Sequence, residues 1–375
     1  MGPLRGLRVV EIVGLGPGPF AGMLLADLGA DVLRVDRLAD ALAADTSKPA
    51  ANVMHRGKPS VALDLKHPAG VEALLALTDR ADALIDVFRP GVAERLGFGP
   101  DVCLARNPSL IYGRLTGWGQ QGPWADTAGH DIDYIALAGA LDPFGRAGGP
   151  PTPPINVLGD FAGGGMLLAF GIACAAWERA GSGRGQVIDA AMIDGAALMM
   201  APFLTGRISG GWGPRGTNML DGAAPFYDVY ETADGRWMAV GSIEPQFYAL
   251  LLEGLGLASA DVPDRGDRTQ WPALRERLAA VFVTRTRDQW CAVFDGTDAC
   301  VAPVLEPAEA LAHPHHAARG TFVNQQPAPG PRFSRTPAGD PGPSSHAGAD
   351  GAHALAAWGF SPDDIERLRR AGATT

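Results

Sequence analysis

The alternation of apolar and polar positions changes period three times within the first forty residues. LRVVEIV (7–13) is rich in β-branched residues and broken only by Glu11, which predicts a strand. GLGPGP (14–19) is a turn, FAGMLLADLG (20–29) a helix closed by Gly29, and ADVLRVD (30–36) a second strand. Strand, glycine turn, helix and strand within about thirty residues predict a right-handed βαβ unit and a parallel sheet. VALDL (61–65), VEALLALTDRA (71–81), ADALIDVF (81–88) and SLIYGRLTGW (109–118) continue the alternation. The first 120 residues therefore read as doubly wound α/β.

Beyond Asp160, FAGGGMLLAFGIACAAWERAG predicts a long apolar helix, and GQVIDAAMIDGAALMMAPFL (185–204) a short strand leading into another. The stretch 205–226 is rich in glycine with scattered Arg, Asn and Asp and reads as a linker. FYDVYETADGRWMAVGSI (226–243) predicts a hairpin turning at Asp234-Gly235. EPQFYALLLEGLGL (244–257) is a helix with Pro245 in its first turn, and 271–295 gives two more. A Pro/Gly/Ser-rich linker (327–350) precedes a final helix capped by Ser361. The expected fold is α/β: a large Rossmann-like domain (1–204), a linker (205–225) and a smaller α+β domain (226–312). Residues 313–375 return as a linker and C-terminal helix that pack on the large domain.

Composition narrows the classes. The 375 residues are 46% apolar and 19% charged, enough to bury sizeable cores, and the formal charge is -10. An acidic chain lacks the field that nucleic acid requires. Cys103, Cys174, Cys291 and Cys300 form no C-x-x-C pair and read as reduced thiols. The longest uninterrupted apolar run, Met166–Trp177, is too short to span a bilayer, and Glu11 interrupts any signal-peptide core. A soluble cytoplasmic protein, with no membrane and no nucleic-acid partner, is expected.

Several motifs invite chemistry. GLGPGP with Asp36 mimics a dinucleotide fingerprint, but Pro19 stands where close helix packing wants glycine, so a structural turn is the better reading. Arg34, Arg37, Arg56, Lys58 and Lys66 form a local basic set, either a phosphate anchor or a solvated face. HPHH (313–316) lacks further zinc ligands at usable spacing and reads as a surface turn. In TAGHDIDYIALAG (127–139), His130 and Asp131 stand at a helix start. There Asp131 suits capping, and a histidine tends to stay neutral and able to act as a base. Asp160 in GDFAGGG and Glu244 in GSIEPQF also stand at helix starts, with capping as the plain alternative. Asp133 reads as a helix-surface acid.

LRVVEIVGLGPGPFAGMLLADLGADVLRVDR, RGKPSVALDL, FRPGVAERLG, RLTGWGQQGP, AGHDIDYIALAG, GDFAGGGML, GQVIDAAMIDG, NMLDGAAPFYDVY, ADGRWMAVGSIEPQFY and FDGTDACVAPVL together resemble the α-methylacyl-CoA racemase branch of the family III CoA-transferase superfamily (CaiB/BaiF-like). The resemblance runs in order from about residue 4 to about residue 337. It implies an intertwined homodimer, an acyl-CoA substrate, and no metal or redox cofactor. It implies epimerisation of 2-methylacyl-CoA esters by 1,1-proton transfer through an enolate. His130 and Asp160 would be the two bases, and Glu244 the partner of the histidine. CoA contacts would fall on Arg37, on Ala62, Leu63, Asp64 and Leu65, and on Gly129, His130, Asp131, Ile132, Asp133 and Tyr134, with Arg89 a further candidate. Pro59 stands where the family commonly has a second basic residue, and 38–52 and the tail beyond about 337 depart from the pattern.

Two other functions compete. A family III acyl-CoA:carboxylate CoA-transferase would use Asp131 as the nucleophile, although His130 before it and the GSIEPQF and NMLDG blocks favour the racemase branch. A non-catalytic acyl-CoA-binding protein would leave His130, Asp160 and Glu244 without a joint purpose. For epimerisation, Asp160 must be protonated when it delivers a proton, so burial has to raise its pKa above the ordinary ~3.9.

Overall fold

The structure is a computed structural model describing residues 2–375. The chain forms two compact units. The first holds the residues up to Ala138, Ile155–Met199 and Gly320–Thr375; the second holds Gly139–Pro154 and Met200–Arg319.

In the first unit, β1 (Arg8–Ile12), β2 (Asp31–Arg37), β3 (Ser60–Leu63), β4 (Ala83–Asp86), β5 (Ile111–Thr116) and β6 (Val187–Ala191) form one sheet ordered β3-β2-β1-β4-β5-β6. Every pairing is parallel. The order reverses between β1 and β4, where ligands of open α/β sheets collect at the carboxyl ends of the strands. Alternate side chains feed two cores. Val10, Leu33, Leu84 and Tyr112 pack on one face with Leu355, Trp358 and Leu368 of the C-terminal helices. Val9, Val32, Ile85 and Ile111 pack on the other with Ala21, Leu25, Leu168 and Ile172. Strands buried on both faces read as continuous apolar runs, and each such side chain stabilises the fold by about 1.5–3 kcal/mol. The edge strand β3 is covered rather than exposed. Ser60 N–H donates to Asp350 Oδ2 (2.9 Å) and Thr374 Oγ1 donates to the Ala62 carbonyl (2.7 Å).

The helices of this unit include α1 (Pro17–Asp27), α2 (Leu38–Ala43), α3 (Pro68–Thr78), α4 (Val92–Leu96), α5 (Pro100–Arg106), α6 (Asp131–Leu137), α7 (Leu167–Ser182) and α8 (Met192–Met199), with the C-terminal helices Gly351–Ala357 and Pro362–Arg370. The helix expected from residue 20 thus begins at Pro17, because proline in a first turn loses no hydrogen bond. The basic set also divides differently from either expectation. Arg34, Arg56 and Lys58 are buried in ion pairs with Asp36 (2.7 Å), Asp27 (2.5 Å) and Glu11 (2.6 Å). They do not face solvent; only Arg37 and Lys66 are exposed.

Before α7, Leu158–Met166 winds as a π-helix, continuing the helical run to Ser182. Asp160 lies inside this wide turn and is not an N-cap, which corrects the expectation. By length and hydropathy alone the run Ile155–Ser182 would cross a membrane. Its Gly163, Gly164, Gly165, Leu168 and Ile172 are nevertheless buried in the unit. The glycines are required by close approach. A β-carbon on Gly195 of α8 would stand 1.9 Å from the Gly163 carbonyl oxygen, and one on Gly163 would stand 2.7 Å from Ala196 N.

In the second unit β7 (Tyr227–Glu231), β8 (Trp237–Gly241) and β9 (Val301–Pro303) form an antiparallel sheet in that order. The β7–β8 hairpin turns through Asp234-Gly235, with Gly235 at φ 71° as that turn needs. Tyr230, Met238 and Val240 pack against Leu251, Leu278, Phe282 and Trp290 of helices Pro245–Leu255, Trp271–Phe282 and Arg287–Phe294. HPHH is not a surface turn: Pro314 opens a short helix, Pro314–Arg319, for the reason that lets proline open α1.

Candidate active site

At the carboxyl ends of β1, β2 and β3 the sheet opens into a cavity of about 700 Å³. Ile12, Val13, Val35, Leu63, Leu65 and Phe88 give it an apolar body, and Arg37 and Lys66 place two exposed cations at its edge. Asp36 also lines it, but Arg34 and Ser60 both donate to its Oδ2. Asp64 Oδ1 accepts the Lys66 N–H (2.9 Å). Of the residues expected to hold CoA, Arg37, Leu63, Asp64 and Leu65 line this cavity, while Ala62 is fully buried within β3. Two cations beside an apolar wall suit a ligand with phosphates at one end and an apolar body.

The segment with His130 and the turn with Asp160 are tied by one carboxylate. His130 is the N-cap of α6, its side chain exposed; its N–H donates to Asp133 Oδ2 (2.9 Å). Asp133 is therefore a cap rather than a free surface acid. Asp131, 6% exposed, turns the other way. Its Oδ1 accepts the Gly159 N–H and the Asp160 N–H, each at 2.7 Å. Tyr134 holds the residue before His130. Its hydroxyl donates to the Gly129 carbonyl, and its ring packs edge-on to Trp118 with centroids 4.8 Å apart. A β-carbon on Gly129 would stand 2.7 Å from that ring, so only glycine fits. Ile132 is exposed on the first turn of α6, and Arg89 is exposed after β4, its charge acting on Tyr134.

The Asp160 carboxyl is half-buried. Asn156 Nδ2 donates to its Oδ2 at 3.0 Å, and that oxygen lies 3.5 Å from where a Gly16 β-carbon would be. Burial pushes its pKa up, the charge of Asp131 adds to the rise, and the Asn156 bond and the charge of His130 oppose it. A raised pKa is what a proton donor near neutrality needs. Asn156 and Gly16 escaped the sequence reading. Asn156 stands one helical turn before Asp160 in PINVLGD, a spacing that was available as a signal. The role of Gly16 depends on a fold contact that no local pattern carries. Burial also raises the Tyr134 hydroxyl to about 12, so it stays a donor.

Glu244 belongs to the second unit, where it is the exposed N-cap of helix Pro245–Leu255. The Arg265 guanidinium, bonded to the Ser242 carbonyl (3.3 Å) and stacked 4.2 Å from the Phe226 ring centre, feels its charge. Among the described residues no group of three metal-ligating side chains occurs.

Comparison with known proteins gives these features a context. A family model described as CoA-transferase family III matches residues 4–348. The mouse α-methylacyl-CoA racemase is 48% identical over 97% of this chain and 96% of its own length. The human α-methylacyl-CoA racemase is 46% identical over the same shares. Among solved structures, a CAIB/BAIF family protein from Brucella suis superposes with a TM-score of 0.83 at 26% identity, covering 95% of this chain and 99% of that one.

Proposed function

Because the chain belongs to CoA-transferase family III, we propose that within this family it epimerises 2-methylacyl-CoA thioesters, interconverting the R and S forms. The observation that carries this reading is the pair of bonds from Gly159 N–H and Asp160 N–H to Asp131 Oδ1. They bind the turn carrying one proton carrier to the segment carrying the other, which gives the buried Asp131 carboxylate a positioning role.

The α-proton of a thioester is weakly acidic, so its removal needs a base and stabilisation of the enolate oxygen. His130, at an exposed helix N-terminus, takes the proton on one face. The first N–H groups of a helix have no partner within it, so Asp131 and Ile132 of α6 offer backbone donors beside His130 for the enolate. Asp160, its pKa raised by burial and by Asp131, returns a proton to the opposite face; the reverse direction exchanges the roles. No electron changes hands, so the reaction asks for no redox cofactor, and CoA enters as part of the substrate. Arg37 and Lys66 meet the CoA phosphates at the cavity edge. We assign the working form to a homodimer in the cytoplasm. Met166, Phe170 and Trp177 form an exposed apolar stripe on one helical face, at 52, 66 and 84% exposure, which suits burial against a second copy.

One enantiomer of a 2-methylacyl-CoA, incubated without any acceptor acid and resolved on a chiral column, becomes a mixture of both. Retention of the single enantiomer, with CoA exchange once a carboxylic acid is added, would assign the chain to the transferases.

A further inference from the structure

We propose that Asp86, which touches neither the cavity nor the reacting carbon, is a positioning residue that sets the Phe88–Arg89 turn and thereby the affinity for the CoA ester. The inference rests on the reading of the cavity as the CoA site.

Asp86 ends β4, the strand beside the switch point, and the parallel register places it next to Arg114 on β5. Its side chain is fully buried. Oδ1 accepts the Phe88 N–H at 2.9 Å, closing the chain into a turn directly after the strand. That turn serves two places at once: Phe88 lines the cavity, and the charge of Arg89 acts on Tyr134 beside His130.

The second carboxyl oxygen is poised between two protonation states. Tyr112 Oη lies 3.1 Å from Asp86 Oδ2 and 3.1 Å from the Phe98 carbonyl oxygen. One phenolic hydrogen cannot satisfy both acceptors. A proton on Asp86 resolves the conflict: Asp86 donates to Tyr112, and Tyr112 donates to Phe98. An ionised Asp86 instead draws on Arg114, whose buried Nε stands 3.9 Å away and makes no hydrogen bond among the described residues. The remaining charged and titratable groups facing the pair are Glu94 on α4, bonded to Arg114 Nη1 at 2.8 Å, and Cys103 on α5. Burial pushes the Asp86 carboxyl up to about 6, against the Phe88, Tyr112 and Arg114 interactions. Above that pH the Phe88 N–H meets a charged acceptor; below it, a neutral and weaker one.

Asp86→Asn tests this. Asparagine keeps the Oδ1 acceptor and supplies an N–H for Tyr112, so it mimics the protonated acid without a change of shape. Dissociation of free CoA is measured calorimetrically from pH 5 to pH 8, with KM and kcat for the 2-methylacyl-CoA in parallel. The CoA phosphate titrates in the same range, so the quantity read is the ratio of the variant's Kd to the wild-type Kd. The expected ratio is about 5 at pH 8, falling towards 1 below pH 6, with the change carried by KM rather than kcat. A ratio near 1 at every pH would overturn the proposal while leaving the cavity assignment standing. Failure of the wild-type protein to bind CoA at any pH would remove both.

Discussion

Replacing Asp131 separates the two chemistries available to this family. In Asp131→Ala the Gly159 and Asp160 N–H groups lose a charged acceptor that each meets at 2.7 Å. A hydrogen bond to a charged group is worth about 1.5–3 kcal/mol, so the pair sets a ceiling of about 6 kcal/mol, and partial relaxation leaves a loss of about 3 kcal/mol. The larger effect falls on placement. The freed turn lets Asp160 drift, and a displacement of about 1 Å at a reacting group reduces rate on the order of a hundredfold. Asp131→Asn keeps an oxygen in the same place but removes its charge, a loss of about 1 kcal/mol per bond. Epimerisation should then fall by no more than about thirtyfold. Because the Asp131 charge helps raise the Asp160 pKa, the same variant should move the pH–rate limb assigned to Asp160 to lower pH. The assay is chiral resolution of 2-methylacyl-CoA across pH 5–9, with thermal unfolding followed alongside. A nucleophile leaves no such gradation. If Asp131→Asn is as inactive as Asp131→Ala while folding normally, the Asp131 carboxylate does more than position the turn.

Other outcomes follow from the same geometry. His130→Ala and Asp160→Ala should each abolish epimerisation and leave calorimetric CoA binding within about threefold of wild type; either variant epimerising normally removes that residue from the mechanism. Asp86→Asn should also stabilise the fold at pH 8. An acid whose folded pKa is raised from 3.8 to about 6 contributes stability below 3.8 that is lost as pH rises through 6. The neutral amide should therefore recover up to about 3 kcal/mol, seen as a higher Tm at pH 8 and no gain at pH 4. Lys58→Met leaves Glu11 buried without its partner and should destabilise by about 3–5 kcal/mol, with Glu11→Gln in the same chain recovering much of the loss in urea titrations. Gly195→Ala drives a β-carbon into the Gly163 backbone and should lower both Tm and kcat, since Gly163 belongs to the π-helix that carries Asp160.

Much of the fold was legible because β1, β2, β4 and β5 are buried on both faces and so announce themselves as short apolar runs between turns. The parallel sheet followed from the strand–helix alternation and the handedness of parallel crossovers, while its strand order came only from the fold. What local pattern could not carry was pairing at long range. Lys58 and Glu11 lie 47 residues apart, and nothing near either says that one neutralises the other. Three basic residues that looked available to a phosphate are for this reason parts of the core. The candidate site divides in the same way. His130 stood out as an unusual residue at a helix start. Asp160 looked like an ordinary cap because π-helical winding has no period that a single sequence displays. Asp131 was a further case. Its position suited capping, with reactivity only under the competing transferase reading, and only the fold reveals both Oδ1 bonds reaching across 28 and 29 residues. Asp86 left no trace at all, since an acid closing a strand is common and its meaning comes from Tyr112 and Arg114 on the neighbouring strand.

In the reaction proposed, one carbon loses and regains a proton with no group transferred. The most direct test is to follow a single enantiomer of a 2-methylacyl-CoA by NMR in deuterated water, with wild-type protein and no acceptor acid. Deuterium is expected to enter the α-position while the ester becomes a mixture of R and S forms. An α-proton that persists, with the enantiomer unchanged, would contradict it.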